Sequence, residues 1–250
     1  MTPQTAAPRT APATVPLPAE GTCGAANVEW ISALELALLV VSARPDEAAT
    51  LPAEALAWVE ATGPAQTIAI HGAAIAWAPG RAALLVEPTR CEAVRAALIE
   101  FGMHDRDLRE LEAEVAAGWA DLESDAPLAF DFRDRDAERR AGLGERFRRL
   151  VALRARLVRL VPHLDRPPLH PPTLASQVGE RLRERARMAE RAGHLGMQLE
   201  VHERVYDLCG QRASEWSLAH RSRGLEWAVV VLLAVETALI LVDLLASRGS

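Results

Sequence analysis

From residue 225 to residue 246 the chain reads LEWAVVVLLAVETALILVDLLA, and no other stretch is comparably apolar. The last twenty of these residues are apolar except for Glu236, Thr237 and Asp243. A helix of about twenty residues reaches across the roughly 30 Å hydrocarbon core of a bilayer. The pattern therefore predicts one C-terminal transmembrane helix, at 225–246, and it predicts membrane lipid as a partner.

Two carboxylates lie inside this run, Glu236 and Asp243. They are seven residues apart, which places them on one face of a helix. They are either tolerated polar defects in lipid, or they mark a contact between helices within the bilayer. We favour the contact, because a protein partner lowers the cost of a carboxylate in hydrocarbon. This interpretation predicts a homo-oligomer or a larger membrane complex.

The basic residues that flank the run predict its orientation. Arg212, Arg221 and Arg223 precede the run, whereas only Arg248 follows it. Positively charged flanks favour the cytoplasmic side of a membrane. We therefore expect a single-pass protein with a cytoplasmic N-terminal body, in the inner membrane of a bacterium.

Composition excludes several classes of protein. The 250 residues carry 34 acidic and 28 basic side chains, so the net charge is −6 and no general basic surface for DNA is expected. All the basic residues are Arg. Cys23, Cys91 and Cys209 are far apart and form no CxxC pair, which argues against a zinc or redox motif.

The first half of the chain predicts a disordered tail and a small α+β domain. Residues 1–26 are rich in Pro, Ala and Thr and cannot bury enough apolar surface to fold. Residues 27–125 combine short apolar runs with amphipathic segments. In chain order, the predicted elements are a strand at 34–41, a helix at 52–60, two strands around Gly72 within 66–77, a strand at 83–86 and a helix capped by Thr89.

A charged and helical region is predicted at 126–223. Eight Arg and a single Glu lie between residues 139 and 160, directly after a strongly acidic stretch. The apolar residues of this Arg-rich helix, 139–159, recur at helical spacing. Its exposed arginines, in particular Arg148, Arg149 and Arg156, are either a patch for RNA or anionic lipid headgroups, or a solvated face that pairs with the acidic stretch. We favour the second interpretation.

Proline, threonine and glycine residues predict where the later helices begin and end. Pro162 is expected to end the Arg-rich helix, and Thr173 to cap the next helix. Gly193 and Gly196 are expected to separate that helix from a further one. The expected break therefore lies near residue 195.

The last predicted helix before the apolar run carries a packing seam. Leu199, Tyr206 and Trp216 belong to a series of apolar positions spaced alternately by four and three residues. This spacing is typical of coiled-coil-like helix packing, within one chain or between protomers. The helix leads directly into the apolar run.

The sequence shows no motif that is typical of catalysis. The segment His202-Glu203-Arg204-Val205-Tyr206 lacks the second His of a HExxH zinc motif. The sequence has no P-loop, no GxSxG elbow and no dinucleotide fingerprint. We therefore predict no catalytic residues, no cofactor and no metal, and we expect that the protein is not an enzyme.

Short motifs of the C-terminal half carry a family resemblance. They are a Leu-Glu-Trp start at 225–227, a Val-Glu pair within the aliphatic run at 235–236, and the segments VYDL at 205–208 and QRASE at 211–215. On these motifs the chain resembles the family named for "required for meiotic nuclear division". The apolar-Gly-apolar run at 70–77 is similar to the strand pair of that family's N-terminal domain.

The resemblance implies a C-terminal transmembrane helix, assembly into larger complexes and no established catalytic residues. Eukaryotic members are mitochondrial inner-membrane proteins that support translation in the organelle. The first 22 residues of this chain hold only Arg9 as a basic residue and are unlike a transit peptide. The expectation is therefore a bacterial-type member.

Together these patterns predict an α+β fold in which a small N-terminal domain precedes a helical region that ends in one transmembrane helix. The expected function is that of a membrane-anchored, non-enzymatic scaffold or assembly protein. The alternative is a module that tethers RNA or ribosomes through the Arg-rich helix. An unrecognised enzyme is the third candidate, and a pocket with convergent ionisable groups would favour it.

Overall fold

A computed structural model describes residues 26–42, 50–166 and 171–248, and from Ile240 onward it describes the backbone but not the side chains. The predicted disordered tail, 1–26, lies outside this part of the chain except for Ala26. The described strands are β1 (Ala26–Ile31), β2 (Leu36–Ser42), β3 (Gln66–Ile70), β4 (Ala73–Ala78) and β5 (Arg81–Val86). The described α-helices are α1 (Ala53–Glu60), α2 (Pro88–Asp125), α3 (Arg140–Leu164), α4 (Leu174–Arg185) and α5 (Met188–Arg248). Short 3-10 segments lie at Ser32–Leu34, Ala126–Ala129 and Asp134–Arg139.

The five strands form one mixed sheet in the order β1-β2-β5-β4-β3. Neighbouring strands are antiparallel except for β2 and β5, which run parallel with Leu39 opposite Ala83. Every residue of β4 is buried, as is β5 from Ala82 onward. Central strands that are apolar throughout, not alternating, are typical of a sheet covered on both faces.

Helices cover the two faces. On one face, Trp58 and Val59 of α1 pack in a core cluster with Leu39 and alternate residues of the central strands. On the other face, the rings of Trp77 and Phe101 meet edge to face, with their centroids 5.1 Å apart. Phe101 belongs to α2, so the first turns of this long helix are fixed to the sheet by an aromatic contact.

Two tight turns connect β3, β4 and β5. His71 and Gly72 both have positive φ, 43° and 80°, which a two-residue hairpin turn of type I′ requires. Gly80, with φ 85°, follows Pro79 in the next turn. The sequence predicted both turns from their glycines, and the structure confirms them.

The described residues divide into two compact units, each built from two stretches of the chain. Unit 1 comprises the residues up to Glu112 together with Leu157–His194, and it contains the sheet. Unit 2 comprises Ala113–Arg156 and the chain from Leu195 onward, and it consists mainly of segments of α2, α3 and α5. These three helices each contribute residues to both units.

The helix boundaries differ from the prediction in two places. Helix α3 continues through Pro162 to Leu164, and α5 passes through Gly193 and Gly196 without a break. The interruption lies instead at Arg187, whose φ of 52° is left-handed. A glycine within a helix costs only about 1 kcal/mol relative to alanine, and burial of neighbours such as Leu195 and Leu199 offsets it.

The prediction of a transmembrane helix at 225–246 is wrong for the described part of the chain. There, no helix is both long and apolar enough to cross a bilayer. The side chains of the run are described only as far as Leu239, and within that part Glu236 places a carboxylate among the apolar residues. The run also does not form an element of its own, because it continues helix α5. The single-pass topology and the membrane localisation that followed from this prediction are corrected with it.

Candidate functional site

A buried carboxylate occupies the centre of unit 2. Asp125, the last residue of α2, has no solvent exposure. Arg139 donates a hydrogen bond to its Oδ1 and Arg146 donates one to its Oδ2, each over 2.6 Å. Hydrogen bonds between charged groups are stronger than neutral ones, so this pair compensates the cost of burying the carboxylate. The contacts join the end of α2 to the beginning of α3.

Helix α5 contributes two further side chains to Asp125. The hydroxyl of Tyr206 donates to its Oδ2 over 3.3 Å, and Sγ of Cys209 lies 3.5 Å from its backbone oxygen. Burial, with the charge of Asp125, raises the pKa of the Tyr206 hydroxyl and raises the pKa of the Cys209 thiol to about 11. Both groups therefore stay protonated at neutral pH. A thiol that is not ionised is a poor nucleophile, which argues against nucleophilic chemistry at Cys209.

The arginines predicted as a patch for an anionic partner have different surroundings. Arg156 donates from Nη1 to Oε1 of Glu114 over 2.5 Å, an ion pair with an acidic residue of α2. Arg148 donates to the backbone oxygen of Gly144 within its own helix, over 3.2 Å. Arg149 is exposed. The structure thus places two of the three guanidinium groups on the exposed surface and pairs the third with the acidic helix.

The predicted packing seam follows α5 through unit 2. Leu199 has no solvent exposure and Tyr206 only 4%. Trp216, further along, is partly exposed, and its Nε1 donates to Oδ1 of Asp134 over 2.8 Å. Its ring also contacts that of His220, with the centroids 4.5 Å apart.

Beyond the seam, helix α5 is exposed on all sides. Every residue from Glu226 to Leu239 is exposed, including Glu236. The side chain of Asp243 lies outside the described residues, so the proposed pairing of the two carboxylates on one face stays a prediction. Eight large apolar side chains of this stretch are more than half exposed: Trp227, Val229, Val230, Val231, Leu232, Leu233, Val235 and Leu239.

A cavity of about 470 Å³ lies in unit 2. Its polar lining is Arg140, Tyr206, Asp207, Gln211 and Ser214. A cavity of about 250 Å³ lies between α2 and α4 in unit 1, where Arg166 is hydrogen-bonded to Glu100 over 3.2 Å. Neither lining contains a His or Cys beside a second nucleophile or base, the arrangement that nucleophilic catalysis uses. The described residues also hold no cluster of three metal ligands.

The sequence singled out neither Asp125 nor the burial of His202, two polar groups of unit 2. Asp125 lies within the acidic stretch, and nothing distinguishes it in sequence from the other acidic residues nearby. His202 is 1% exposed and occupies a position of the packing seam, where an apolar residue would be expected. A polar residue at a seam position was the available signal, because buried polar groups need specific partners.

Comparison with known proteins gives no match: no family model, no curated protein and no solved structure is significantly similar to this chain.

Proposed function

We propose that the protein is a non-enzymatic assembly protein that forms homo-oligomers through residues 226–239 of helix α5. The observation that carries the proposal is the exposure of eight large apolar side chains on this one helical stretch. The family resemblance, which implies assembly into larger complexes, supports the same conclusion.

The distribution of these side chains argues for a partner. A helix that is apolar around its whole circumference is normally buried, because a solvated helix carries polar residues on at least one face. Glu226, Glu236 and Thr237 are the only polar residues of the stretch. The hydroxyl of Thr237 is satisfied within the helix by the backbone oxygen of Leu233, at 2.7 Å. Contiguous exposed apolar surface of this kind marks an interaction site.

The area favours a second copy of the chain as the partner. Eight large side chains exposed by more than half present on the order of 800 Å² of apolar surface, which is the area per partner of a standard protein interface. Most soluble oligomers are homo-oligomers, in which one patch serves both subunits. The stretch has no basic side chain that would bind an acidic partner, and no described cavity beside it that would accept a foreign peptide.

The proposal is tested with two variants of the full chain. Changing Leu232 and Leu233 to Glu places charges within the apolar stretch, whereas Leu218→Glu places one at a position of the same helix that is equally exposed, 66% against 68% for Leu232. Light scattering after size exclusion should show an oligomer for the natural sequence and for L218E, and a monomer for the double variant. Circular dichroism should be alike in all three, because the substituted residues are exposed in the single chain. The unfolding midpoint of the natural sequence and of L218E should rise with protein concentration, whereas that of the double variant should not, because only an oligomer is stabilised by mass action.

Two results would contradict the proposal. One is a monomer for the natural sequence at every concentration in detergent-free buffer. The other is a monomer that is recovered on lipid vesicles, which would show that lipid, and not a second copy, covers the stretch.

A further inference from the structure

His202 of helix α5 is buried in unit 2 with one of its ring nitrogens unsatisfied. Its Nδ1 lies 2.9 Å from the backbone oxygen of Gln198, one turn earlier in the helix. A carbonyl oxygen only accepts hydrogen bonds, so Nδ1 carries the ring proton and donates it. Nε2 is then the nitrogen with a lone pair. Among the described residues it has no hydrogen-bond partner.

Nε2 faces a space that a glycine leaves open. A Cβ atom at Gly118 of α2 would lie 3.6 Å from Nε2. The ring of Trp119 meets the imidazole edge to face, with the centroids 4.5 Å apart, and holds its orientation. The imidazole is therefore fixed by a hydrogen bond at one nitrogen and a ring contact, while its other nitrogen is aimed at Gly118.

A small cavity with a mixed polar and apolar lining lies at the same place. Its volume is about 40 Å³. The apolar side chains of Val115, Leu150 and Leu153 line it together with Gly118, His202, Glu114, Asp121, Arg146, Arg149 and Tyr206. A buried water needs at least about 10–15 Å³ of space that a water-sized probe can occupy, so the cavity can hold water. Buried waters normally make about three hydrogen bonds. The carboxylates of Glu114 and Asp121 and the hydroxyl of Tyr206 can accept hydrogen bonds beyond those they make with protein partners, and the Arg149 guanidinium can donate.

We infer that this cavity is a hydration site, in which a water molecule donates a hydrogen bond to Nε2 of His202 and makes its remaining contacts with the polar part of the lining. The water links the imidazole of α5 to side chains of α2 and α3. The site lies inside unit 2 and is independent of the oligomer proposed above. It explains why a histidine and a glycine occupy positions at which an apolar residue and an alanine would pack.

The Gly118→Ala variant tests the site, because its urea midpoint of unfolding should fall if the cavity holds water and rise if the cavity is dry. The added methyl group fits at van der Waals distance from Nε2, so in a dry cavity it would fill space and favour the helix. In a hydrated cavity it displaces the water and leaves Nε2 buried without a partner. We expect the urea midpoint of unfolding to fall in G118A. The control is Gly210→Ala, also within a helix of unit 2 but with no atom within 4 Å of the new methyl group; its midpoint should rise.

A second pair of variants isolates the contribution of Nε2 of His202. In His202→Phe the ring contact with Trp119 can persist but Nε2 is absent, so adding G118A should no longer lower the midpoint. Water-to-protein nuclear Overhauser effects at the His202 ring protons of the natural sequence give an independent readout. We expect them to have the negative sign of a long-lived bound water and to be lost in G118A. A rise of the midpoint in G118A equal to that in G210A, or the absence of these Overhauser effects, would overturn the inference.

Discussion

Arg146 Nη1 donates a 2.6 Å hydrogen bond to Oδ2 of Asp125, a carboxylate without solvent exposure. Arg139 binds the other oxygen of the same carboxylate, so one acidic side chain joins the end of α2 to two points near the start of α3. Both arginines are more than a third exposed, and solvent therefore weakens each pair. The acid is buried while its two bases are partly exposed, and this difference determines how removal of the acid should affect stability.

Removal of the buried acid should destabilise unit 2 strongly. Asp125→Ala leaves two guanidinium groups and the Tyr206 hydroxyl without their shared acceptor. We expect a loss of about 2–4 kcal/mol in the free energy of unfolding, less than for a fully buried ion pair because the arginines can turn to water. Urea unfolding followed by circular dichroism measures it. The control, Asp121→Ala, removes an acid that is half exposed and binds the same Arg146 over 3.2 Å; it should cost less than about 1 kcal/mol. Equal losses would contradict a special role for Asp125.

Charge reversal within the Arg-rich helix separates its two interpretations. Arg156→Glu places a second carboxylate beside Glu114 and should lower the free energy of unfolding by about 1 kcal/mol. Arg149→Glu changes an exposed position, so it should change the free energy of unfolding by less than about 0.5 kcal/mol. Combining Arg156→Glu with Glu114→Arg should restore most of the loss. Urea midpoints of the natural sequence, Arg156→Glu, Glu114→Arg and the double variant form the cycle. RNA binding that weakens with salt and is lost in Arg149→Glu would favour the tethering alternative instead.

A close approach of helix α2 to the sheet depends on a glycine. A Cβ atom at Gly102 would lie 2.8 Å from the buried ring of Trp77, which has no room to move. Gly102→Ala should therefore cost about 1–3 kcal/mol through overpacking. Gly193→Ala, within α5 and with no atom nearby, should instead stabilise the protein by about 0.5–1 kcal/mol. Thermal unfolding of the two variants compares them, and a shift of the same sign in both would contradict the proposed contact.

Stability should also depend on pH through His104 of α2. Burial, with the neighbouring His163 whose ring stacks at 4.9 Å, lowers the pKa of His104 below 6.5. At pH values between the lowered pKa and 6.5 the unfolded chain binds the proton more readily, so the free energy of unfolding falls as the pH drops from about 7 through this interval. Below the folded-state pKa the contribution levels off. Urea unfolding from pH 7.5 to 5 measures it. His104→Gln should reduce the slope, and an unchanged slope would show that other groups cause it.

Local patterns predicted much of unit 1. Apolar runs gave strands that overlap β2 to β5, and Gly72 and Gly80 marked their turns. Thr173 caps α4 as predicted, accepting a hydrogen bond from the Ser176 backbone N–H. These features depend on residues close together in sequence. Strand β1 was missed, because it mixes polar and apolar residues and is held by its pairing with β2.

Features that depend on distant residues were not predictable in the same way. Asp125 acquires its importance from Arg139, Arg146 and Tyr206, and only the fold brings these side chains together. The break at Arg187 occurs at a residue with no helix-breaking tendency, while two nearby glycines remain helical. For the apolar run at 225–246, hydropathy alone could not distinguish a helix in a bilayer from a helix that packs against protein, and the prediction favoured the bilayer. The described side chains then overturned the choice of a bilayer.

The central claim, that residues 226–239 bind a second copy of the chain, is tested most directly by photo-crosslinking. A benzophenone amino acid is placed at position 231 of the full-length protein, within the exposed apolar stretch, and at position 218 as a control. The account predicts that irradiation in detergent-free buffer covalently links two copies from position 231, that mass spectrometry locates the linked residues within 226–239 of both chains, and that position 218 gives far less. A protein that stays monomeric after irradiation at position 231, or that links only to lipid or to an unrelated protein, would contradict the claim.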